Sequence, residues 1–169
     1  MARQYEREQS EFKEKVVQIR RVTKVVKGGK KMGFRAVVVI GDMKSRVGLG
    51  IGKAAEVSAA IRKGVDSAKK NMMDVPLYAG TVPHDVIGKF SASSVVLRPA
   101  PRGTGVIAGG SVRTILELCG FKNIVAKKIG SANAINVARA TLDALSLLKR
   151  FEQVAAERGK EPKVHYVEA

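Results

Sequence analysis

The chain is poor in acid, in aromatic residues and in cysteine. Its 169 residues carry 15 Asp and Glu against 31 Lys and Arg, a formal net charge of +16. A surplus of that size opposes compaction unless a polyanion neutralises it, which points to nucleic acid. Trp is absent and aromatics make up only 5% of the chain, which argues against gripping unpaired bases by stacking. Recognition of folded RNA through phosphates and shape stays compatible. The single cysteine, Cys119, excludes an internal disulfide and a thiolate zinc site. No apolar run approaches the roughly 18 residues of a membrane helix, and the N-terminus shows no signal-peptide pattern. A reducing, cytoplasm-like compartment is therefore expected. Hydrophobic residues, at 45%, suffice for a real core in one domain or two small ones.

Charge is uneven along the chain. Residues 1–73 hold 18 Lys and Arg against 7 Asp and Glu, residues 74–150 hold 10 against 4, and residues 151–169 hold 3 against 4. From Lys15 to Gly41 there are eight basic residues and no acid: Lys15, Arg20, Arg21, Lys24, Lys27, Lys30, Lys31 and Arg35. Valines and isoleucines interleave with them, and Gly28, Gly29 and Gly33 lie in the middle. The alternation predicts a folded hairpin with a glycine tip, and its charge predicts a nucleic-acid probe.

The expected architecture is α+β in two parts. A polar lead-in covers 1–14, either a short solvated helix or a flexible segment. A β-β-β-α unit follows over 15–73. Its strands are 15–26, a central strand over Phe34–Ile40 that is apolar on both faces, and Arg46–Ile51. The helix Ala54–Met73 presents a stripe of Val57, Ile61, Val65, Ala68 and Met72. Residues 74–150 read as β-β-α-β-α. Strands are expected at 77–81, 85–98 and Phe121–Ile129, and a helix from about Gly110, ended by Gly120. A last helix capped by Ser131 or Asn133 carries the stripe Ile135, Ala138, Leu142, Leu145 and Leu148. Residues 151–169 form a tail.

The run Gly48-Leu-Gly50-Ile-Gly52-Lys53 fails the spacing of a P-loop and of a dinucleotide fingerprint. The face bearing Gly48, Gly50 and Gly52 is nearly bare, so something approaches its backbone closely. Two readings fit: tight strand–helix packing, or a phosphate at a helix N-terminus beside Lys53. Arg98, Arg102 and Arg113 surround Gly103, Gly105, Gly109 and Gly110, which reads either as a flexible connection with a tight helix start or as a protein or RNA contact at a helix N-terminus. Lys127 and Lys128, beside Gly130-Ser131, are candidate phosphate ligands. No nucleophile, base or paired carboxylates occur in a motif. No catalytic residue, metal or cofactor is expected.

The assembled blocks resemble a known family. They are Arg21-Val-Thr-Lys-Val-Val-Lys-Gly-Gly29, Val38-Val-Ile-Gly-Asp42, Val47-Gly-Leu-Gly-Ile-Gly-Lys-Ala-Ala-Glu-Val57, Gly103-Thr-Gly-Val-Ile-Ala-Gly-Gly110, Lys128-Ile-Gly-Ser-Ala-Asn133 and Asn136-Val-Ala-Arg-Ala-Thr141. In order and spacing they are similar to the bacterial-type fifth protein of the small ribosomal subunit, over about residues 10–150. The resemblance implies an N-terminal domain like the double-stranded-RNA-binding fold and a C-terminal split β-α-β domain. It implies binding to small-subunit ribosomal RNA, neighbours in the fourth and eighth proteins of that subunit, and roles in assembly and decoding accuracy. The protein would be ribosome-bound in the cytoplasm or in an organelle.

Expected RNA contacts are Arg20, Arg21, Lys24, Lys27, Gly28, Gly29, Lys30, Lys31, Arg35, Lys53, Lys127 and Lys128. The resemblance places the hairpin tip near the spectinomycin site and a protein interface around Arg102, Gly103 and Arg113. Two departures stand out: Met43-Lys44-Ser45 in a turn where the family commonly has Gly or Asn, and Ser58 where Pro is usual. A free-standing regulator that binds double-stranded RNA and a small phosphate-using enzyme are the competing readings.

Overall fold

A computed structural model describes residues 12–159 of the chain. Residues 1–11 of the predicted lead-in and 160–169 of the predicted tail lie outside the described residues; Lys13 and Glu14 already belong to a strand, and the tail opens with a helix over Phe151–Arg158.

Strand β1 (Lys13–Val26) runs antiparallel to β2 (Gly29–Gly41), and the pair closes at Val26 and Gly29 around Lys27-Gly28. Gly28 has φ +92°, a left-handed angle that suits glycine in so tight a turn. β1 starts two residues before the expected Lys15. β3 (Arg46–Ala54) pairs with β2, and β4 (Met72–Asp74) pairs with β3, giving the order β1-β2-β3-β4. β4 was not expected. β2 begins at Gly29, before the expected Phe34, and its first residues are exposed; over Ala36–Gly41 it is buried on both faces, as predicted. Val37 and Val39 enter one apolar cluster, and Ala36 and Val38 enter another.

Helix α1 (Val57–Lys70) covers the Ala36 and Val38 face. It fills the bare stripe of β3. A Cβ on Gly48, Gly50 or Gly52 would run into the α1 backbone at Ala68, Gly64 and Ala60 respectively. That settles what lies over the glycine face: it is strand–helix packing. It also corrects the predicted stripe. The residues pressed on the sheet are Ala60, Gly64 and Ala68, while Ile61 and Val65 lie half-buried at the flank. An approach this close leaves room only for small residues.

The second half contains β5 (Val86–Phe90), β6 (Ser93–Pro99), β7 (Val106–Ile107), α2 (Gly110–Cys119), β8 (Ile124–Gly130), α3 (Ala134–Ser146) and α4 (Phe151–Arg158). Its sheet has the order β5-β6-β8-β7, with β7 parallel to β8 and the other pairs antiparallel. Three expectations change. Residues 77–81 form a tight turn, not a strand: Tyr78 and Thr81 exchange backbone hydrogen bonds across Ala79-Gly80, both at positive φ. Residues 85–98 are a hairpin by themselves, turning at Ser91-Ala92. β8 begins at Ile124 instead of Phe121.

Gly120 ends α2 in the left-handed conformation, and the Asn133 side chain caps α3 by accepting from Ile135 N at 3.3 Å. Of the predicted α3 stripe, Ala138, Leu145 and Leu148 are buried, while Ile135 and Leu142 are half-buried. Val137, Ala140, Thr141 and Ala144 complete the buried face.

The halves share one core. Val37, Val39, Val47 and Leu49 of the first sheet cluster with Val112, Ile115, Leu116 and Leu118 of α2. The turn after β2 locks this contact. Met43 N donates to Leu118 O at 2.9 Å, and Cys119 Sγ lies 3.5 Å from Ser45 O. Met43 adopts φ +56°, the angle that explains why Gly or Asn would be favoured there. The Asp42 carboxylate accepts the backbone N–H groups of Lys44, Ser45 and Arg46 and the Arg46 Nε–H. Burial alone would raise this carboxyl, but the donors outweigh it and hold the pKa at about 2. Burial, with the Asp42 charge beside it, pushes the Cys119 thiol up to about 12, so it is a core residue and an unreactive one.

Candidate nucleic-acid interface

Paired residues of an antiparallel ladder share a face, so the register sorts the basic residues of the hairpin. Arg20 pairs with Arg35, Lys24 with Lys31, and Arg35 in turn with Lys53 of β3. These five side chains project from one face. Arg20 and Lys24 are separated by about 13 Å along the strand, at roughly 3.3 Å per residue. Arg21, opposite Phe34, and Lys30, opposite Val25, project from the other face, which is the α1 side. Lys27 occupies the turn. Sequence reasoning grouped these residues together, whereas the strand period of two divides them.

The five-cation face is open. Arg20, Lys24, Lys31 and Lys53 are exposed and Arg35 is half-buried. A Cβ on Gly28 or Gly29 would meet nothing within 4 Å, so the tip projects into solvent. Where the same face turns inward it carries Val37 and Val39, which anchor the hairpin base to the core. The result is a projecting hairpin with a row of cations on one face, able to neutralise a row of phosphates. Lys53 lies three residues before Glu56, the residue that opens α1 without a side-chain cap.

The Arg102–Arg113 region is more ordered than a flexible connection. Asn123 is buried, and its Oδ1 accepts the N–H groups of Gly103 at 3.0 Å and Gly105 at 3.2 Å. Gly103 and Gly105 have φ of +91° and +75°. Arg102 is exposed at the rim of this loop. Arg113 is already engaged: its guanidinium donates to Val106 O at 2.8 Å and lies 3.6 Å from Glu117, which also binds Lys15 of β1 at 2.9 Å. Lys127 and Lys128 are exposed on β8, on opposite faces of the second sheet and remote in sequence from the hairpin.

Two family models match in succession. One, described as "Ribosomal protein S5, N-terminal domain", matches residues 12–76, and the other, "Ribosomal protein S5, C-terminal domain", matches residues 88–158. The chain belongs to the ribosomal protein S5 family. Similar relatives include "Small ribosomal subunit protein uS5" of Acaryochloris marina, 56% identical over 153 residues, which is 90% of this chain and 86% of that protein. The protein of the same name from Syntrophobacter fumaroxidans is 55% identical over 156 residues, 92% of this chain and 94% of that one. "Small ribosomal subunit protein uS5c" of Rhodomonas salina is 55% identical over 152 residues, 89% of this chain and 90% of that one.

Both halves of the family match thus carry a candidate surface: the basic arm in the first, the glycine loop in the second. Sequence reasoning missed Asn123, which organises that loop. Its one signal was an Asn between the C-terminal glycine of a helix and an apolar strand, a place where a side chain readily serves backbone N–H groups.

Proposed function

We propose that this chain is a structural constituent of the small ribosomal subunit, bound to its ribosomal RNA, and not an enzyme. Family membership carries the assignment, over most of the chain. The mode of docking rests on one observation: Arg20, Lys24, Lys31, Arg35 and Lys53 share a face of the sheet formed by β1, β2 and β3. Phosphates along an RNA backbone suit such a row, and Arg21, Lys27, Gly28, Gly29 and Lys30 contribute at the tip and on the opposite face. Lys127 and Lys128 are assigned to further RNA contacts.

In this reading residues 15–73 act as a domain like the double-stranded-RNA-binding fold, and residues 74–150 as a split β-α-β domain. Arg102, Gly103 and Arg113 face the fourth protein of the subunit, the eighth is a further neighbour, and the protein supports assembly and decoding accuracy. Its place is the ribosome of the cytoplasm or of an organelle. Filter binding of the full chain to small-subunit ribosomal RNA, across a salt series, tests the docking mode. Affinity should fall steeply with salt, and a salt-insensitive affinity would refute docking through phosphates.

A further inference from the structure

Two backbone groups, far apart in sequence, fix the state of one imidazole. The Lys149 N–H can only donate, and it lies 3.2 Å from His84 Nε2. The Asp85 carbonyl can only accept, and it lies 2.9 Å from His84 Nδ1. The ring satisfies both only as the neutral tautomer that carries its proton on Nδ1. The chain is anchored on each side of this contact. Val82 and Val86 flank His84 in the core, and Leu148, beside Lys149, is buried there too.

The segment after Leu148 has few other holds. No residue of α4 is buried. Phe151 meets the Tyr78 ring edge-on, with centroids 4.6 Å apart. Lys149 Nζ lies 3.0 Å from Glu157, a pair within the segment itself. Arg150, Phe151 and Glu152 form part of the lining of a cavity of about 420 Å³, together with Lys44, Val75 and Leu77.

We propose that His84 is an acid-operated latch on the chain from Lys149 through α4. When the ring is neutral, its Nε2 lone pair accepts the Lys149 N–H and the latch is closed. When the ring is protonated, both its nitrogens donate. Two donors then face each other, and the segment leaves Tyr78 and opens the cavity. The other charged groups of this region are engaged elsewhere. The Asp85 carboxylate lies 3.4 Å from Arg98 of β6, and Glu157 pairs with Lys149. Arg150 and Glu152 stand at the start of α4.

Nitrogen-15 NMR of the full chain tests the latch. The partner variant is His84→Gln, whose amide oxygen can accept the same N–H without titrating. At neutral pH the His84 ring should carry its proton on Nδ1 and leave Nε2 bare. Imidazoles change charge between about pH 8 and pH 5. Over that range, protection of the Lys149 amide from exchange, corrected for the intrinsic effect of pH, should fall about fivefold, the worth of one net hydrogen bond. The Phe151–Tyr78 cross-peaks should weaken in step with ring protonation. The His84→Gln variant should keep both signals across the range. A variant loose at every pH would also support the latch, by showing that the acceptor at position 84 holds α4. A proton on Nε2 at neutral pH would overturn the proposal, and so would a Lys149 amide indifferent to ring protonation. The same pH step in His84→Gln would overturn it as well, by assigning the step to the carboxylates.

Discussion

Gly50 of β3 faces Gly64 of α1 so closely that a Cβ on Gly50 would strike the Gly64 carbonyl oxygen. Neither the strand nor the helix backbone can yield without losing hydrogen bonds. Gly50→Val should therefore destabilise the free protein by about 3 kcal/mol or more, the upper range for overpacking. A thermal melt measures this. An unchanged melt would refute the close packing of α1 on the sheet. Gly88 of β5 repeats the arrangement beneath α3, where its Cβ would meet the backbone at Ala140 and Ala144. Gly88→Val should have a similar cost.

Asp42 makes stability depend on acid. Its folded pKa, about 2, lies below the ordinary 3.8, because backbone N–H groups and Arg46 bind the charged form. A depressed carboxylate contributes stability that is present above its unfolded pKa and is lost as pH falls through the folded value. The contribution, on the order of 2 kcal/mol at 1.36 kcal/mol per pH unit, should disappear between about pH 4 and pH 2. Asp42→Asn should lower stability at neutral pH and flatten that part of the curve. Denaturant unfolding at several pH values checks both expectations.

Face-sorting of the hairpin predicts unequal effects from like substitutions. Each phosphate contact contributes roughly −0.7 to −0.9 to the log–log salt slope. The Lys24→Ala, Lys31→Ala pair should reduce the slope by about 1.5. The Arg21→Ala, Lys30→Ala pair, on the α1 side, should change it less. Filter binding over a salt series measures both, and equal reductions would refute the division of the hairpin into two faces.

The loop built on Asn123 predicts a separation of assembly from accuracy. Asn123→Ala would remove the acceptor of the Gly103 and Gly105 N–H groups; water can reach the exposed Gly103, so the loss is about 1 kcal/mol per hydrogen bond. Arg113→Leu would release Val106 O and Glu117. Both variants should assemble into particles yet misread a near-cognate reporter more often. Unchanged accuracy in intact particles would leave the loop a purely structural element.

Much of the fold could be read from residue patterns. The two-faced run Phe34–Ile40 identified a central strand, and Gly120 and Asn133 marked a helix end and a helix start. Other features left no pattern to read. β4 and β7 have three and two residues, too few for any period. The turn between β5 and β6 uses Ser91 at φ +54°, without glycine, asparagine or proline, so the hairpin was hidden. In the α1 stripe Ala68 is placed correctly, but Ile61 and Val65 stand in for their neighbours Ala60 and Gly64, because hydrophobicity favours the larger residues while the glycine face of β3 selects its partners by size. The basic residues of the candidate site were legible. Their division into faces was not, because it depends on a cross-strand register that only the folded hairpin defines.

The central claim is that the chain is held in the small subunit by one face of the basic hairpin. Sedimentation of small-subunit particles in low and high salt tests it most directly. The comparison is between the wild-type chain, a variant with Arg20, Lys24, Lys31, Arg35 and Lys53 replaced by Ala, and a control with Arg21, Lys27 and Lys30 replaced. The wild-type chain and the control should stay with the particles after a high-salt wash, and the five-residue variant should be released. Absence of the wild-type chain from particles, or retention of the five-residue variant as firmly as the control, would contradict the account.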